Sequence, residues 1–209
     1  MRAPRRYAFQ RLTLSFSDIA RAVDRLAGYY AGIGLPLPAL SGPNPPEQII
    51  AVLTSTAIDE TLLEIALAKL GLTSLLLSVN NSVAAVAHLC KQTQSSHLVY
   101  GTKYEMTARE AQAALAAEGF VIEIIAEKRF PLWGPGGVRQ SKIASYPARF
   151  TPEEEAKRTC VILHSSGSTG FPKPVYVTHY GLIANASHSL PKTGFSALPL
   201  FHGFGHFSM

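Results

Sequence analysis

The sequence predicts an α/β fold, a largely parallel sheet flanked by helices. Short runs of nearly continuous apolar residues recur at 49–54, 72–79, 98–100, 120–126 and 159–163, as strands buried on both faces require. Segments with helical spacing of apolar residues, rather than tight turns, separate them. With 209 residues, 47% of them hydrophobic, the chain can bury a sizeable core.

The elements follow in order. Ser17 is a candidate N-cap for a helix presenting Ile19, Val23, Leu26, Ala27 and Tyr30 on one face, and Gly32 and Gly34 end it. Residues 35–46 hold five of the fourteen prolines and must be a loop. After the strand at 49–54, Asp59 is expected to cap a helix carrying Leu62, Leu63, Ala66, Leu67 and Leu70, which stops at Gly71. The strand at 72–79 leads to Asn81 and Ser82, both candidate caps for a helix with Val83, Val86, Ala87 and Cys90.

Beyond the short strand at 98–100, Thr107 and Glu110 have the T-x-x-E spacing of a capping box, predicting a helix that starts there and runs to Gly119. A strand at 120–126 follows. Residues 130–150 contain Trp133-Gly134-Pro135-Gly136-Gly137 and too much glycine and proline for regular structure. Thr151-Pro152-Glu153-Glu154 then supplies a cap, a proline at the first helical position and acids in the first turn. Extended segments at 159–163 and 174–178 come next, and past His179 a helix should bury Leu182, Ile183 and Ala186.

Between those two extended segments lies His164-Ser165-Ser166-Gly167-Ser168-Thr169-Gly170-Phe171-Pro172-Lys173. Glycines allow positive φ, so that successive N–H groups can converge on an anion. The serines and Thr169 add donors, and Lys173 adds a cation that can reach phosphate oxygens. A polyphosphate is the expected ligand. The loop is not a Walker A sequence, because Pro172 precedes the lysine, Pro174 follows it and no helix opens there. Nor is it a nucleophile elbow, since neither Ser166 nor Ser168 has glycines at both required positions. His164 could bond phosphate or merely cap the sheet edge, and has no assigned role.

Residues 165–173 resemble the phosphate-loop signature of AMP-forming adenylating enzymes, [ST]-S-G-[ST]-T-G-x-P-K, at every fixed position. That group contains acyl-CoA synthetases, luciferases and adenylation domains of nonribosomal peptide synthetases. Residues 12–34 resemble its first helix motif, residues 64–71 its A-x-x-K-x-G segment, and Leu198-Pro199-Leu200-Phe201-His202-Gly203-Phe204-Gly205 its P-L-F-H-x-x-G motif. Phe171-Pro172-Lys173-Pro174 is most similar to the adenylation part of peptide-synthetase-like carboxylic acid reductases.

The resemblance implies ATP-dependent activation of a small-molecule carboxylic acid as an acyl-adenylate, with release of pyrophosphate and capture by a phosphopantetheine or coenzyme A thiol. It implies that Ser165, Ser166, Gly167, Ser168, Thr169, Gly170 and Lys173 hold the β and γ phosphates of ATP with Mg²⁺, and that His202 and Gly203 contact the acid and AMP. It also implies that residues 12–209 are an incomplete adenylation domain lacking the C-terminal lid, with a carrier domain as a candidate further partner. Such a piece is expected to be inactive alone, and no catalytic side chain is identified within it. The alternative from a different class is a truncated, non-catalytic nucleotide-binding or interaction module.

Residues 1–11 form a basic segment with Arg2, Arg5, Arg6 and Arg11, part of a net charge of +5. It reads as a solvated end rather than a nucleic-acid site. It lacks the apolar core of a secretory signal, so the expected location is cytoplasmic. No apolar run approaches the roughly 18 residues of a membrane span. His202 and His206 have H-x-x-x-H spacing, but the glycines around them argue against a helical zinc site. Cys90 and Cys160, without C-x-x-C spacing, are expected to be buried thiols.

Overall fold

The computed structural model describes residues 13–39, 45–55, 58–165 and 170–187. Among the described residues six α-helices and six strands follow one another, alternating up to β5: α1 (Phe16–Gly32), β1 (Ile49–Leu53), α2 (Ile58–Lys69), β2 (Thr73–Leu76), α3 (Val83–Gln92), β3 (His97–Tyr100), α4 (Glu105–Ala117), β4 (Glu123–Ala126), α5 (Pro152–Lys157), β5 (Thr159–Ser165), β6 (Lys173–Thr178) and α6 (His179–Ser187). The strands form one sheet in the order β4-β3-β1-β2-β5-β6. Every pairing is parallel except that of β5 with β6. This is the expected α/β class.

Alternation along the strands explains the layers. Ile50 and Val52 of β1 face a core shared with α1 and α2, where Leu26, Tyr30, Leu63 and Leu67 are buried. Ala51 and Leu53 face the opposite core, built with Val86, Leu89 and Cys90 of α3 and Ala108, Ala111 and Leu115 of α4. A strand clothed on both sides needs apolar residues at every position, which is why these runs lack a polar face. Among the described residues, no helix is long and apolar enough to cross a membrane.

Several helix ends differ from the sequence reading. The N-cap of α1 is Ser15, not Ser17. Its hydroxyl accepts the Asp18 N–H while the Asp18 carboxylate accepts the Ser15 N–H at 2.9 Å, and Ser17 has only Ala20 at the corresponding position. Helix α2 already begins at Ile58, so Asp59 lies in its first turn and faces Arg129 at 3.4 Å instead of capping. The T-x-x-E reading also fails. A 3-10 turn, Thr102–Tyr104, feeds directly into α4 at Glu105, leaving Thr107 and Glu110 inside the helix. By contrast, Thr151 and Glu154 form a reciprocal cap with Pro152 at the start of α5, as expected.

Of the two candidate caps for α3, Ser82 accepts the Ala85 N–H and Asn81 does not cap. Leu182 packs partly buried against the α1–α2 core. Ile183 is 65% exposed, contrary to the expectation of a core contact, because it falls on the outward side of α6. The side chain of Ala186 and the basic segment 1–11 lie outside the described residues. Gly71 is required twice over: its φ is +74°, and a Cβ there would come within 2.4 Å of the Phe150 ring.

The connection at 127–150 contains no helix or strand, as its composition predicts. Arginines fasten it to α1. Arg21 donates to the carbonyls of Val138 and Ser141, and Arg25 donates to that of Gly136. Arg139 reaches back to the Asp18 carboxylate. That guanidinium, together with the Ser15 bonds, holds the Asp18 carboxyl well below the usual carboxylate range. Where the connection begins, the Tyr30 hydroxyl accepts the Lys128 N–H at 3.1 Å.

Three carboxyl groups influence one another where this connection begins. Glu127 accepts from the Thr54 hydroxyl and pairs with Arg129 at 2.7 Å. Glu60 is fully buried, with neither oxygen hydrogen-bonded among the described residues. Burial, and then the Glu127 charge, push Glu60 up to about 7. Burial, and then Glu60, push Glu64 up to about 8. Both are therefore acids whose neutral form the fold prefers.

Two outcomes follow from this packing. Leu67 is wholly buried, so Leu67→Ala should cost about 2–5 kcal/mol in urea unfolding. The second concerns pH. A carboxyl raised on folding leaves stability intact below the unfolded value of 4.5 and erodes it as pH rises toward the folded value of about 7. Glu60→Gln should remove that erosion. Between pH 5 and 7 wild type should lose stability relative to the variant by up to about 1.4 kcal/mol per pH unit, and parallel unfolding curves at both pH values would contradict it.

Candidate functional site

The sheet topology creates the site. β2 and β5 are parallel neighbours, with Ser74 opposite Val161 and Leu75 opposite Ile162, so both strands deliver their carboxyl ends to the same edge. Loops at the carboxyl ends of parallel strands are where open α/β sheets bind ligands. There β5 ends at Ser165, and the chain returns antiparallel as β6 from Lys173.

Ser165 and Lys173 are direct partners in the β5–β6 register. Opposite residues of an antiparallel pair project on the same face, so a hydroxyl and an ammonium group stand side by side where the loop leaves and re-enters the sheet. Both are exposed. Lys173 takes part in none of the ion pairs found among the described residues. Gly170 has φ +150° and, among the described residues, no atom within 4 Å of the place where a Cβ would stand, so the backbone there adopts a conformation L-residues avoid, with room beside it for a ligand.

Ser166, Gly167, Ser168 and Thr169 lie outside the described residues, as do His202, Gly203 and His206. The structure therefore brings together Ser165, Gly170 and Lys173 of the expected set. Hydroxyl donors, open backbone and a cation suit a polyanion such as the phosphates of ATP.

The stems of the loop involve residues the sequence reading left without a role. His164 Nε2 accepts the Ser78 N–H at 3.1 Å and lies 3.3 Å from Asn81 Nδ2. On the other stem, the Phe171 ring stacks on His88 of α3, with centroids 4.8 Å apart and planes 17° from parallel. His164 had one signal in the sequence, its place just before the serines. His88 had none, since a half-buried histidine on a helix carries no mark of its distant partner.

Other chemically able groups lie elsewhere. Burial pushes the Cys90 and Cys160 thiols up to about 12, so both are inert at neutral pH. Each is free and buried, as expected. A cavity of about 400 Å³ lined by Glu64, Lys69, Glu155, Cys160 and His179 sits at the amino-terminal end of β5, away from the loop. No group of three or more metal-ligating side chains occurs among the described residues.

Comparison with known proteins agrees with this architecture. The adenylate-forming reductase stbB of Stachybotrys bisbyi is 33% identical over 202 residues, covering 92% of this chain and 18% of its own length. The carboxylic acid reductase of Neurospora crassa is 29% identical over 181 residues, 83% of this chain and 14% of its own. This chain thus spans less than a fifth of either relative. Among solved structures, the N-terminal domain of FACL13 from Mycobacterium tuberculosis superposes with a TM-score of 0.67 at 18% identity, over 93% of this chain and 46% of that one. ATP-bound MatB from Rhodopseudomonas palustris gives 0.66 at 20% identity, over 93% and 37%. At these identities the two structures speak to the fold alone. The sequence profile described as AMP-binding enzyme matches residues 2–209, and with the β5–β6 loop and this sheet the chain belongs to the AMP-binding enzyme family.

Proposed function

We propose that this chain supplies the phosphate-binding part of an enzyme that activates a carboxylic acid with ATP. The observation that carries the reading is the register pair Ser165–Lys173 at the mouth of a loop whose glycine at 170 lies open. In the reaction a carboxylate oxygen forms a bond to the α-phosphorus of ATP, and the α–β bridging bond breaks. The products are an acyl-adenylate and pyrophosphate. Attack by a phosphopantetheine or coenzyme A thiol then forms a thioester and expels AMP.

The protein's task in the first step is to accept negative charge as pyrophosphate leaves. Backbone amides and hydroxyls over residues 165–170 and the Lys173 ammonium are the groups for it, since preorganised donors stabilise developing charge without reorganising. Mg²⁺, when bound with the nucleotide, shares that charge. His202 and Gly203 are assigned to the acid and the AMP moiety, where an imidazole can donate to a carboxylate or phosphate oxygen.

The relatives support a finer reading. Those at 33% and 34% identity are adenylate-forming reductases, which favours a carboxylic acid reductase or aryl-acid type of module, with a carrier domain as partner. The adenylating activity belongs to the complete unit.

Lys173→Ala in the natural full-length protein should lower acid-dependent exchange of labelled pyrophosphate into ATP on the order of a hundredfold. The measurement is made across a panel of aryl and alkyl carboxylic acids. Exchange at the wild-type rate would remove the loop from the mechanism.

A further inference from the structure

Two contacts hold the ends of the loop, one from His164 just before the signature and one from Phe171 at its variable position, and both end on one body. Ser78 and Asn81 lie in the turn between β2 and α3, and His88 lies on α3 itself. That body is firmly set. The Ser78 hydroxyl accepts the Asn80 N–H at 3.2 Å, Ser82 caps the helix, and Val86, Leu89 and Cys90 anchor it in the core with no exposure.

The His164 contact also fixes the chemistry of the ring. A backbone amide can only donate, so Nε2 must be the nitrogen without a proton, and the ring is neutral with its proton on Nδ1. The accepting nitrogen cannot also donate to an anion. His164 Nε2 is therefore a tether rather than a phosphate ligand. The Phe171–His88 stack, between two flat rings with one face each to offer, does the same for the other stem.

We propose that His164, acting through Ser78 and Asn81, and His88, acting through Phe171, are positioning residues that hold both stems of the 165–173 loop against the turn before α3 and α3 itself, and so fix where the Ser165–Lys173 pair stands for a polyphosphate. The proposal rests on the phosphate-binding reading given above. Its physical content is preorganisation: stems already held do not have to be positioned when the anion arrives. Neither histidine needs to touch nucleotide. The tethers matter only for ligands that engage the loop.

Calorimetric titration of the natural full-length protein with Mg²⁺–ATP, and separately with AMP, tests this. AMP lacks the β and γ phosphates, so general damage to the fold weakens both ligands, whereas a misplaced loop weakens ATP alone. His164→Ala and His88→Ala should each weaken ATP binding by about threefold to tenfold and leave AMP unchanged. His164→Gln, whose amide oxygen can accept the Ser78 N–H, should restore most of the loss. His88→Ala alters a half-buried helix position and provides a folded variant if His164→Ala does not fold. Lys173→Ala separates the two levels. If it weakens ATP binding while the histidine variants stay within about twofold of wild type, or lose ATP and AMP equally, the tethering role is overturned. If Lys173→Ala leaves ATP binding intact, the phosphate reading fails and the tethering role falls with it.

Discussion

The parallel pairing of β2 with β5 is the constraint on which the rest depends. Because both strands run the same way, the end of β5 that becomes the loop and the end of β2 that becomes the turn into α3 emerge at one edge. Antiparallel pairing would have sent them to opposite edges. The long connection between them in sequence, which includes two further strands and three α-helices, is what lets β5 insert beside β2. The site thus depends on contacts of long sequence separation, and its geometry exists only once the sheet has closed.

The same arrangement divides labour between rigid and open parts. The two cores on either side of the sheet hold the strands through residues with no exposure, such as Val52, Leu67, Leu76 and Leu89. Ser165, Gly170, Phe171 and Lys173 are exposed at the edge. Anchoring an open loop on a buried scaffold lets backbone groups face solvent without losing their position.

Much of the fold could be read from residues, and the failures have a common cause. The apolar runs gave the strands because burial on both faces leaves a composition that neighbours cannot disguise. Thr151 and Glu154 were legible because proline at 152 confirmed the local geometry. Thr107 and Glu110 misled, since the same spacing occurs inside a helix and only the preceding turn at 102–104 shows that the helix has already begun. Asn81 and Ser82 could not be ranked from residue type, since both are good caps; the structure shows the Ser82 hydroxyl on the Ala85 N–H while the Asn81 amide lies against His164, more than eighty residues away. In the site, Ser165 and Lys173 were legible through their spacing, whereas the His164 and His88 contacts arise from topology and leave no local pattern.

The arginines that fasten the 127–150 connection have a consequence for how this segment can vary. Arg21 and Arg25 bind the main-chain carbonyls of Gly136, Val138 and Ser141 rather than their side chains. Every amino acid carries that oxygen. The path of the segment is thereby specified largely from the helix side, and outside Arg139, whose own side chain reaches Asp18, and Gly137, where a Cβ would meet the Trp133 backbone at 2.8 Å, substitutions that keep the backbone course leave these carbonyl contacts untouched, which gives a stretch without regular structure a defined shape together with latitude in composition.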